Sequence, residues 1–385
     1  MRVLFSSTSG QGHLQPLIPL IRAFEEQGHD VLTVAPASLA NTLGGAGINF
    51  RLGNEPSQED SDRVWTLFPT LDRTAASRLV EREWFARLCT DALLPAVRDA
   101  ADEWSPELVI RETCEYASAL VAHQRGISQF QVGISTAAAE SSVLHDLAKP
   151  ELEERSAGLT NRIFESPYLS KFPASLDPSP YPSTLRYRDG ERTTRGPLGD
   201  WWHGNQSPLV YLTFGTMATG TKAGQDLLRA VLSTIQDLDL RILVTTGSKM
   251  KLDNLNIANN VHVESWVAQD DIFSLASLVI CHGGSGTTFG ALAAGVPLVF
   301  LPMFADQPTN AALIEGAGAG IIVGDGGGSA ESNSDASHLR MSLLRDAISD
   351  VLDKPKYRDA ARALGEEINA AEPINSLVHT VVASL

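Results

Sequence analysis

The most constraining feature of this sequence is the segment 266–307, which reads WVAQDDIFSLASLVICHGGSGTTFGALAAGVPLVFLPMFADQ. A β-prone apolar run at 278–280 leads into the glycine-rich letters HGGSG, and the small, apolar residues 287–294 can form a buried helix. Glycines at 283, 284 and 286 allow positive φ and close approach of a ligand, and the helix start supplies free N–H groups and a positive dipole. The segment therefore predicts an anion site, most simply for phosphate, formed by His282, Gly284, Ser285, Gly286 and Thr287.

The same segment continues into a second strand. Gly295 ends the helix, a Val-Pro pair turns the chain, and the apolar run 298–301 predicts a buried strand that completes a parallel βαβ unit. Asp306 and Gln307 follow this strand. Because open α/β sheets bind ligands beyond the carboxyl ends of their strands, both side chains are predicted to contact the ligand. His282, as a loop residue facing that ligand, is expected to support no core.

The chain begins with a similar pattern. Residues 3–7 predict a strand, 9–13 predict the loop after it, and a helix with apolar residues at helical spacing starts at Pro16 and ends at Gly28. The letters SGQGHLQP lack the third glycine of G-x-G-x-x-G, which makes a nicotinamide enzyme the less favoured alternative. The later GTMATGTK likewise departs from the order of a phosphate-binding P-loop.

Length and proline content predict two domains. A chain of 385 residues can form two cores, and six of its 20 prolines fall within 167–197, which predicts a connector rather than a structural element. A second sheet is expected to begin at 209–214. We therefore place one domain at 1–190, a linker at 191–207 and a second domain at 208–385.

Charge and cysteine content exclude several classes of partner. The formal net charge is −16, whereas nucleic acids and anionic membranes require a basic face. No apolar run reaches the length of a membrane span, and the stretch after Arg2 is too short for a signal peptide. The three cysteines, Cys89, Cys114 and Cys281, lack the spacing of metal ligands. We therefore expect reduced thiols, no bound metal and a cytoplasmic protein.

The order W-x-x-Q, H-x-G, G-V-P and D-Q within 266–307 resembles the donor-binding signature of nucleotide-sugar glycosyltransferases of the plant secondary-metabolite and bacterial antibiotic type. The resemblance covers essentially the whole chain, although only the second half matches densely. It implies the α/β GT-B fold, in which two Rossmann-like domains face a cleft. The acceptor site is implied in the first domain and the nucleotide sugar in the second, with the last helix crossing back to the first.

The resemblance also implies roles for individual residues. In the family, the loop after the first strand carries G-H-x-x-P and its histidine is the catalytic base, which here is His13. The family usually has an aspartate as partner of this base. Here the candidate is Glu112, with Glu115 left open. The implied donor contacts are Gly215 and Thr216 at a phosphate, Trp266 stacked on the base with Gln269 nearby, and Asp306 and Gln307 at sugar hydroxyls.

The region 73–104 predicts one or two amphipathic helices in the part of the chain that forms the acceptor pocket in the resembled family. Its aromatic and apolar side chains either line that pocket or fill the core, and core packing is the commoner role for such residues. The side chains concerned are Trp84, Phe85 and Leu88 of this region and Phe68, which precedes it.

One departure from the plant members concerns the nucleotide. Those proteins carry a glutamate that accepts hydrogen bonds from the ribose hydroxyls eight residues beyond the histidine, and here that position is Gly290. A site without this carboxylate does not favour a 2′-hydroxyl, so we predict that dTDP binds at least as tightly as UDP. By the same argument, Gly290→Glu is predicted to shift the preference toward UDP.

These observations predict an inverting glycosyltransferase that moves a sugar from dTDP or UDP to a hydrophobic natural product such as a polyketide antibiotic. The sequence has no Asp-x-Asp cluster after a strand, so we expect the helix dipole and neutral donors, rather than a metal ion or another cofactor, to hold the leaving diphosphate. Two alternatives stay open: a nucleotide-sugar 2-epimerase of the same fold, and a catalytically inactive activator of a partner transferase. The acceptor, the sugar and the oligomeric state, a homodimer included, are not determined by the sequence.

Overall fold

The computed structural model describes residues 1–190, 199, 201–215, 219–247, 257–303, 306–324 and 334–385. The chain divides into two compact units, one formed by Met1–Gly190 with Ala371–Leu385 and the other by Glu191–Ala370. Residues 191–198 and 200 of the predicted linker, and the predicted site residue Thr216, lie outside the described residues.

The strands and helices are numbered in chain order. The strands are β1 Arg2–Ser6, β2 Asp30–Pro36, β3 Phe50–Gly53, β4 Leu108–Glu112, β5 Ser128–Val132, β6 Tyr168–Ser170, β7 Thr184–Arg188, β8 Leu209–Thr213, β9 Arg241–Thr245, β10 Val261–Glu264, β11 Leu278–Cys281, β12 Leu298–Phe300, β13 Gly320–Ile322 and β14 Glu372–Pro373. The α-helices are α1 Gln11–Leu14, α2 Leu17–Glu26, α3 Ala40–Gly45, α4 Gln58–Leu67, α5 Arg73–Ser77, α6 Thr90–Trp104, α7 Ala117–Arg125, α8 Ala137–Ser142, α9 Lys149–Arg155, α10 Leu159–Glu165, α11 Lys222–Ile235, α12 Gln269–Phe273, α13 Ser285–Ala293, α14 Gln307–Gly316, α15 Ser334–Asp353, α16 Pro355–Ala370 and α17 Ile374–Ala383. Short 3₁₀ turns lie at Ala37–Leu39 and Phe68–Thr70, and π-helical segments lie at Arg78–Cys89 and Val143–Ala148.

The sheet of the first unit has the strand order β14-β7-β6-β5-β4-β1-β2-β3, and its paired strands are parallel. Alternate residues of β1 enter different cores: Val3 and Phe5 pack on one face of the sheet and Leu4 on the other. Both faces are therefore covered, which explains the unbroken apolar run of this strand. β1 pairs with β2 on one side and β4 on the other, so the chain reverses its direction of travel across the sheet there. Such a switch point is where open α/β sheets bind ligands.

The proline-rich stretch 167–197 is not the simple connector that its composition predicts. It contains β6 and β7, which pair in parallel and extend the first sheet. Tyr168 and Tyr187 are buried in these strands. The prolines precede or follow the strands, so they remove no hydrogen bond from the ladder, and the interpretation as a connector was wrong for that reason.

Two further elements of the first unit differ from the prediction. Residues 9–13 do not form an open loop, because α1 begins at Gln11 after Gly10, whose φ is +112°. The amphipathic region 73–104 forms α5 and α6, but its central part, Arg78–Cys89, is π-helical. At the other end of the chain, β14 joins the first sheet through β7, and α17 buries Leu377, Val378 and Val381 in the core of the same unit.

The sheet of the second unit has the order β10-β9-β8-β11-β12-β13, again with parallel pairs. β8 lies between β9 and β11, which creates a second switch point. The predicted strand, loop and helix are present as β11, a glycine loop and α13, although the helix begins at Ser285 rather than at 287. Among the described residues, no helix is both long enough and apolar enough to cross a membrane. All three cysteines are free thiols.

Candidate active site

The first switch point brings together a histidine and a carboxylate that are about 100 residues apart in sequence. Gly10 starts α1, which carries His13, immediately after β1, and Glu112 is the last residue of the neighbouring strand β4. Nδ1 of His13 lies 3.3 Å from Oε2 of Glu112, and the two side chains are 17% and 0% exposed. The ring nitrogen is not aligned for a hydrogen bond to this oxygen, so the contact is one of charge.

Backbone groups hold the Glu112 carboxylate in this position. The backbone N–H of Thr8 donates to Oε1 over 3.1 Å, and the backbone N–H of Cys114 donates to Oε2 over 2.7 Å. Glu115, the alternative partner, instead accepts from the backbone N–H of Ser118 over 3.0 Å in the first turn of α7. The structure therefore places Glu112, and not Glu115, beside His13.

The electrostatics of His13 follow from its neighbours. Burial lowers the pKa of the imidazole, but the interaction with Glu112, with smaller contributions from Glu81 and Glu140, outweighs burial and raises the pKa above its ordinary value. Glu112 comes from β4, Glu81 from the π-helical segment and Glu140 from α8. An imidazole whose protonated form is stabilised by carboxylates is suited to accept a proton from a ligand hydroxyl.

This geometry leads to a prediction about pH dependence. A base must be neutral to act, so kcat/KM is expected to fall as the pH decreases through the pKa of His13. In Glu112→Gln the largest favourable charge is lost while burial remains, so the pKa of His13 falls and the acid limb of the profile moves to lower pH. The plateau rate falls by at least about tenfold, since about 1.4 kcal/mol of lost imidazolium stabilisation has that effect.

The measurement is a pH profile of kcat/KM for the wild type and the variant. Glu115→Gln is the matched control, because this carboxyl is also buried but holds α7. Thermal unfolding of both variants shows whether they are folded. An acid limb that does not move in a folded Glu112→Gln variant contradicts the pairing.

The residues around His13 were only partly foreseen. Trp84, Phe85 and Leu88 are buried in one core cluster, and Phe68 is 36% exposed. Phe85 contacts the site, with its ring centroid 4.9 Å from that of His13.

Two acidic residues near His13 gave no signal in the sequence. Burial raises the pKa of Glu81 to about 7, and its buried Oε2 has no hydrogen-bond partner. Burial also raises the pKa of Glu140 to about 8, although this side chain accepts hydrogen bonds from Tyr168 and from two backbone N–H groups. Both residues lie in helical segments where an acidic side chain usually faces solvent, so only the tertiary structure brings them to His13.

The second switch point carries the glycine loop. Gly283 has a φ of +93°, and a Cβ atom added there would lie 2.8 Å from the backbone oxygen of Gln307. Gly284 and Gly286 do not use the positive φ that glycine allows: Gly284 has a φ of −63° as N-cap of α13, and Gly286 is a helical residue in open space. Only the first of these three glycines is therefore required by backbone conformation.

The start of α13 is suited to bind an anion. Gly284 provides no side-chain cap, and the first hydrogen bond of the helix runs from the N–H of Thr288 to the oxygen of Gly284. The N–H groups of Ser285, Gly286 and Thr287 precede this bond, so they have no acceptor within the helix. These donors and the helix dipole point toward the same place, as the sequence predicted for a phosphate.

A polar network connects the glycine loop to α14. Oδ2 of Asp306 accepts hydrogen bonds from Oγ of Ser285 and from Nδ2 of Asn310, each over 2.8 Å. Asn310 also donates to the backbone oxygen of Gly283 over 2.9 Å and is completely buried. Asn310 was not among the predicted site residues, although its position one helical turn after Asp306 is a signal in the sequence.

His282 has a different environment from the one predicted. It is 9% exposed, and Cβ atoms added at Gly215 and Gly284 would lie 3.1 and 2.7 Å from its ring. The expectation that it supports no packing is therefore wrong, because the loop folds back over the ring. Burial lowers the pKa of His282 to about 4, so at pH 7 the ring is neutral and can offer a phosphate a hydrogen bond but not a charge.

The remaining predicted donor residues lie on the same edge of the second sheet or close to it. Trp266 is 60% exposed, as a stacking platform requires. Nε2 of Gln269 donates to Oγ1 of Thr287 over 3.1 Å and to the hydroxyl of Tyr211 over 3.3 Å, so Gln269 positions the start of α13. Gln307 is 4% exposed and its Oε1 accepts from the backbone N–H of Met303 over 2.9 Å, which ties it to its own loop.

Gly290 has a packing role. A Cβ atom added there would lie 2.6 Å from the ring of Phe273, which is 2% exposed. The close approach that this glycine permits is thus between α13 and α12. Gly290→Glu would force the buried Phe273 to move, so the predicted shift toward UDP cannot be read from that variant.

Solved structures of known proteins share this architecture. The spinosyn rhamnosyltransferase SpnG in complex with thymidine diphosphate matches 99% of this chain and 100% of its own, with a TM-score of 0.79 and 25% identity. The same values hold for its complex with the spinosyn aglycone. The two parallel α/β sheets, together with these matches, define a glycosyltransferase of the GT-B fold.

The chain belongs to the erythromycin biosynthesis protein CIII-like family, whose N-terminal domain matches residues 22–197 and whose C-terminal domain matches 229–384. It is similar to 3-alpha-mycarosylerythronolide B desosaminyl transferase of Saccharopolyspora erythraea, with 25% identity over 97% of this chain and 95% of the relative. It is also similar to 10-deoxymethynolide desosaminyltransferase of Streptomyces venezuelae, with 26% identity over 95% and 93%. The resemblance to natural-product glycosyltransferases is thereby confirmed.

Proposed function

We propose that this protein is an inverting, metal-independent glycosyltransferase that moves a sugar from a nucleoside diphosphate to a hydroxyl group of a hydrophobic natural product, such as a polyketide. The observation that carries the proposal is the His13–Glu112 pair, 3.3 Å apart at the first switch point. The similar proteins support a hydrophobic natural product as the acceptor, since they include a 3-alpha-mycarosylerythronolide B desosaminyl transferase and a 10-deoxymethynolide desosaminyltransferase.

The proposed chemistry uses the two units for different tasks. Nε2 of neutral His13 takes the proton of the acceptor hydroxyl, the acceptor oxygen bonds to the anomeric carbon, and the bond from that carbon to the diphosphate breaks with inversion. Glu112 stabilises the imidazolium that forms, without taking its proton. In the second unit, the N–H groups at the start of α13 and the neutral His282 donate hydrogen bonds to the diphosphate and stabilise its growing negative charge.

The same comparisons support a proposal for the donor. Thymidine diphosphate is the nucleotide bound to the similar spinosyn rhamnosyltransferase, so we propose a dTDP-sugar as the donor of this protein. Gly290 packs against Phe273 and has no carboxylate that could accept a hydrogen bond from the 2′-hydroxyl of a ribose.

We accordingly expect dTDP to bind at least as tightly as UDP. The measurement is competition of the two nucleotides for the free protein, followed by calorimetry of each alone. A clear preference for UDP would contradict the donor assignment while leaving the transferase assignment intact.

The proposed reaction is tested with purified protein, a dTDP-sugar and a set of polyketide aglycones. We expect a glycoside whose anomeric configuration, determined by NMR, is opposite to that of the donor, at a rate that a magnesium chelator does not change. A parallel assay without acceptor separates the alternatives: a 2-epimerase converts the donor alone, a transferase only hydrolyses it slowly, and an inactive activator leaves it unchanged. Retention of configuration in the glycoside would overturn the inverting mechanism.

A further inference from the structure

Three metal-binding side chains meet at the ends of β1 and β4. A ring nitrogen of His13, a carboxylate oxygen of Glu112 and Sγ of Cys114 all lie within 4.8 Å of one another. Within the part of the chain that the structure describes, no other three histidine, cysteine or acidic side chains come this close. Nitrogen, oxygen and sulfur from these residue types are the usual ligands of Zn²⁺.

The distances are close to those of a tetrahedral zinc site. Zinc–ligand bonds of about 2.0 to 2.3 Å place neighbouring ligand atoms about 3.3 to 3.6 Å apart. Nδ1 of His13 and Oε2 of Glu112 are already 3.3 Å apart. Cys114 is the residue that has to adjust, and its sulfur has to approach by at most about 1.5 Å to complete three ligands.

A second observation points to a ligand at this position. Nδ1 of His13 is a buried nitrogen without a hydrogen-bond partner, and it faces Glu112. Buried polar atoms are rarely left unpaired, so such an atom needs an explanation. The backbone N–H of Cys114 occupies only one of the lone pairs of Oε2, which leaves another for an ion. His13 and Cys114 are both partly exposed, so an ion can reach them.

We propose that His13, Glu112 and Cys114 form a binding site for a thiophilic divalent cation such as Zn²⁺, and that the bound ion inhibits the enzyme. On binding, the Cys114 thiol loses its proton to solvent, and the ring proton on Nδ1 is exchanged through solvent to Nε2. The sulfur, Oε2 and the lone pair freed on Nδ1 then bond to the ion. Nε2 of His13 then carries the remaining ring proton and cannot accept another. The binding is independent of the proposed reaction, and only the inhibition rests on it.

The binding is tested without any assay of activity. Chelator-treated protein is titrated with Zn²⁺ by calorimetry and, separately, with Co²⁺ while the near-ultraviolet absorption is recorded. We expect one ion per chain and a sulfur-to-cobalt charge-transfer band. Cys114→Ser should lose the band and bind Zn²⁺ at least about tenfold more weakly. Cys89→Ser, which removes a buried thiol of the same unit, should keep both the charge-transfer band and the Zn²⁺ affinity of the wild type.

The inhibition is tested by incubating the protein with Zn²⁺ before the substrates are added, because diphosphates also bind the ion. We expect loss of the transfer rate in the wild type, recovery with a chelator, and less inhibition of Cys114→Ser relative to its own metal-free rate. Absence of the charge-transfer band in the wild type, or unchanged Zn²⁺ affinity in Cys114→Ser, overturns the site. Tight binding with an unchanged rate overturns the inhibition.

Discussion

His13→Ala is expected to lower the rate of sugar transfer by about 10²- to 10⁴-fold, the usual contribution of a general base. The reason is that the variant lacks the imidazole that takes the proton of the acceptor hydroxyl. The His13 side chain packs against Phe85 and Glu112 but is 17% exposed, so its loss should change the binding of the acceptor much less than the rate. The measurements are kcat from steady-state kinetics and the acceptor Kd from calorimetry.

A matched control separates this effect from any effect of removing a histidine elsewhere in the same unit. His379 is an exposed residue of α17 in the same unit, and His379→Ala should retain the wild-type rate. His13→Gln keeps part of the side-chain volume but cannot act as a base at neutral pH, so it should be nearly as slow as His13→Ala. Full turnover of either His13 variant, with normal acceptor affinity, would remove this residue from the mechanism.

Gly283→Ala is expected to weaken the binding of dTDP by roughly 5- to 150-fold, corresponding to about 1 to 3 kcal/mol of backbone strain. Alanine is strained at a φ of +93°, and its Cβ would lie 2.8 Å from the backbone oxygen of Gln307. The loop must therefore move. Because Asn310 holds the oxygen of Gly283 and also the carboxylate of Asp306, the movement displaces Ser285 at the start of α13.

Calorimetry with dTDP measures this loss directly and needs no active enzyme. Gly316→Ala is the control, since this residue lies in α14 of the same unit, exposed and with open space around an added Cβ. It should bind dTDP as the wild type does, and thermal unfolding should show both variants to be folded. A folded Gly283→Ala protein with unchanged affinity would show that the loop does not hold the nucleotide.

Local patterns of the sequence were sufficient to predict much of the second unit. The run LVIC, the letters HGGSG and the following small residues each favour one local structure, and the strand, loop and helix form as β11, the loop around Gly283 and α13. The buried parallel strand β4 also has a local signal in the apolar residues 108–110, although the strand continues to Glu112. These features depend on residues close together in the chain.

Features that depend on contacts between distant residues were not predictable in this way. The choice between Glu112 and Glu115 was decided by the pairing of β4 with β1, which turns only Glu112 toward His13. The same pairing brings Cys114 to this histidine, although ligand spacing along the chain gave no sign of it. In the second unit, the return of α14 toward β11 brings Gln307 against Gly283 and places Asn310 beneath the loop.

The sequence by itself thus determined the α/β class, the order of the strands and helices around each ligand site, and the residue types that can carry the chemistry, because apolar periodicity and glycine conformations act over a few residues. Only the tertiary structure decided which side chains meet and which of them are buried. Burial decides that His282 is neutral, and the Glu112 carboxylate that β4 brings to His13 is the main reason why the pKa of His13 is raised. Both are effects of desolvation and of charge at short range, and these distances arise only when the chain has folded.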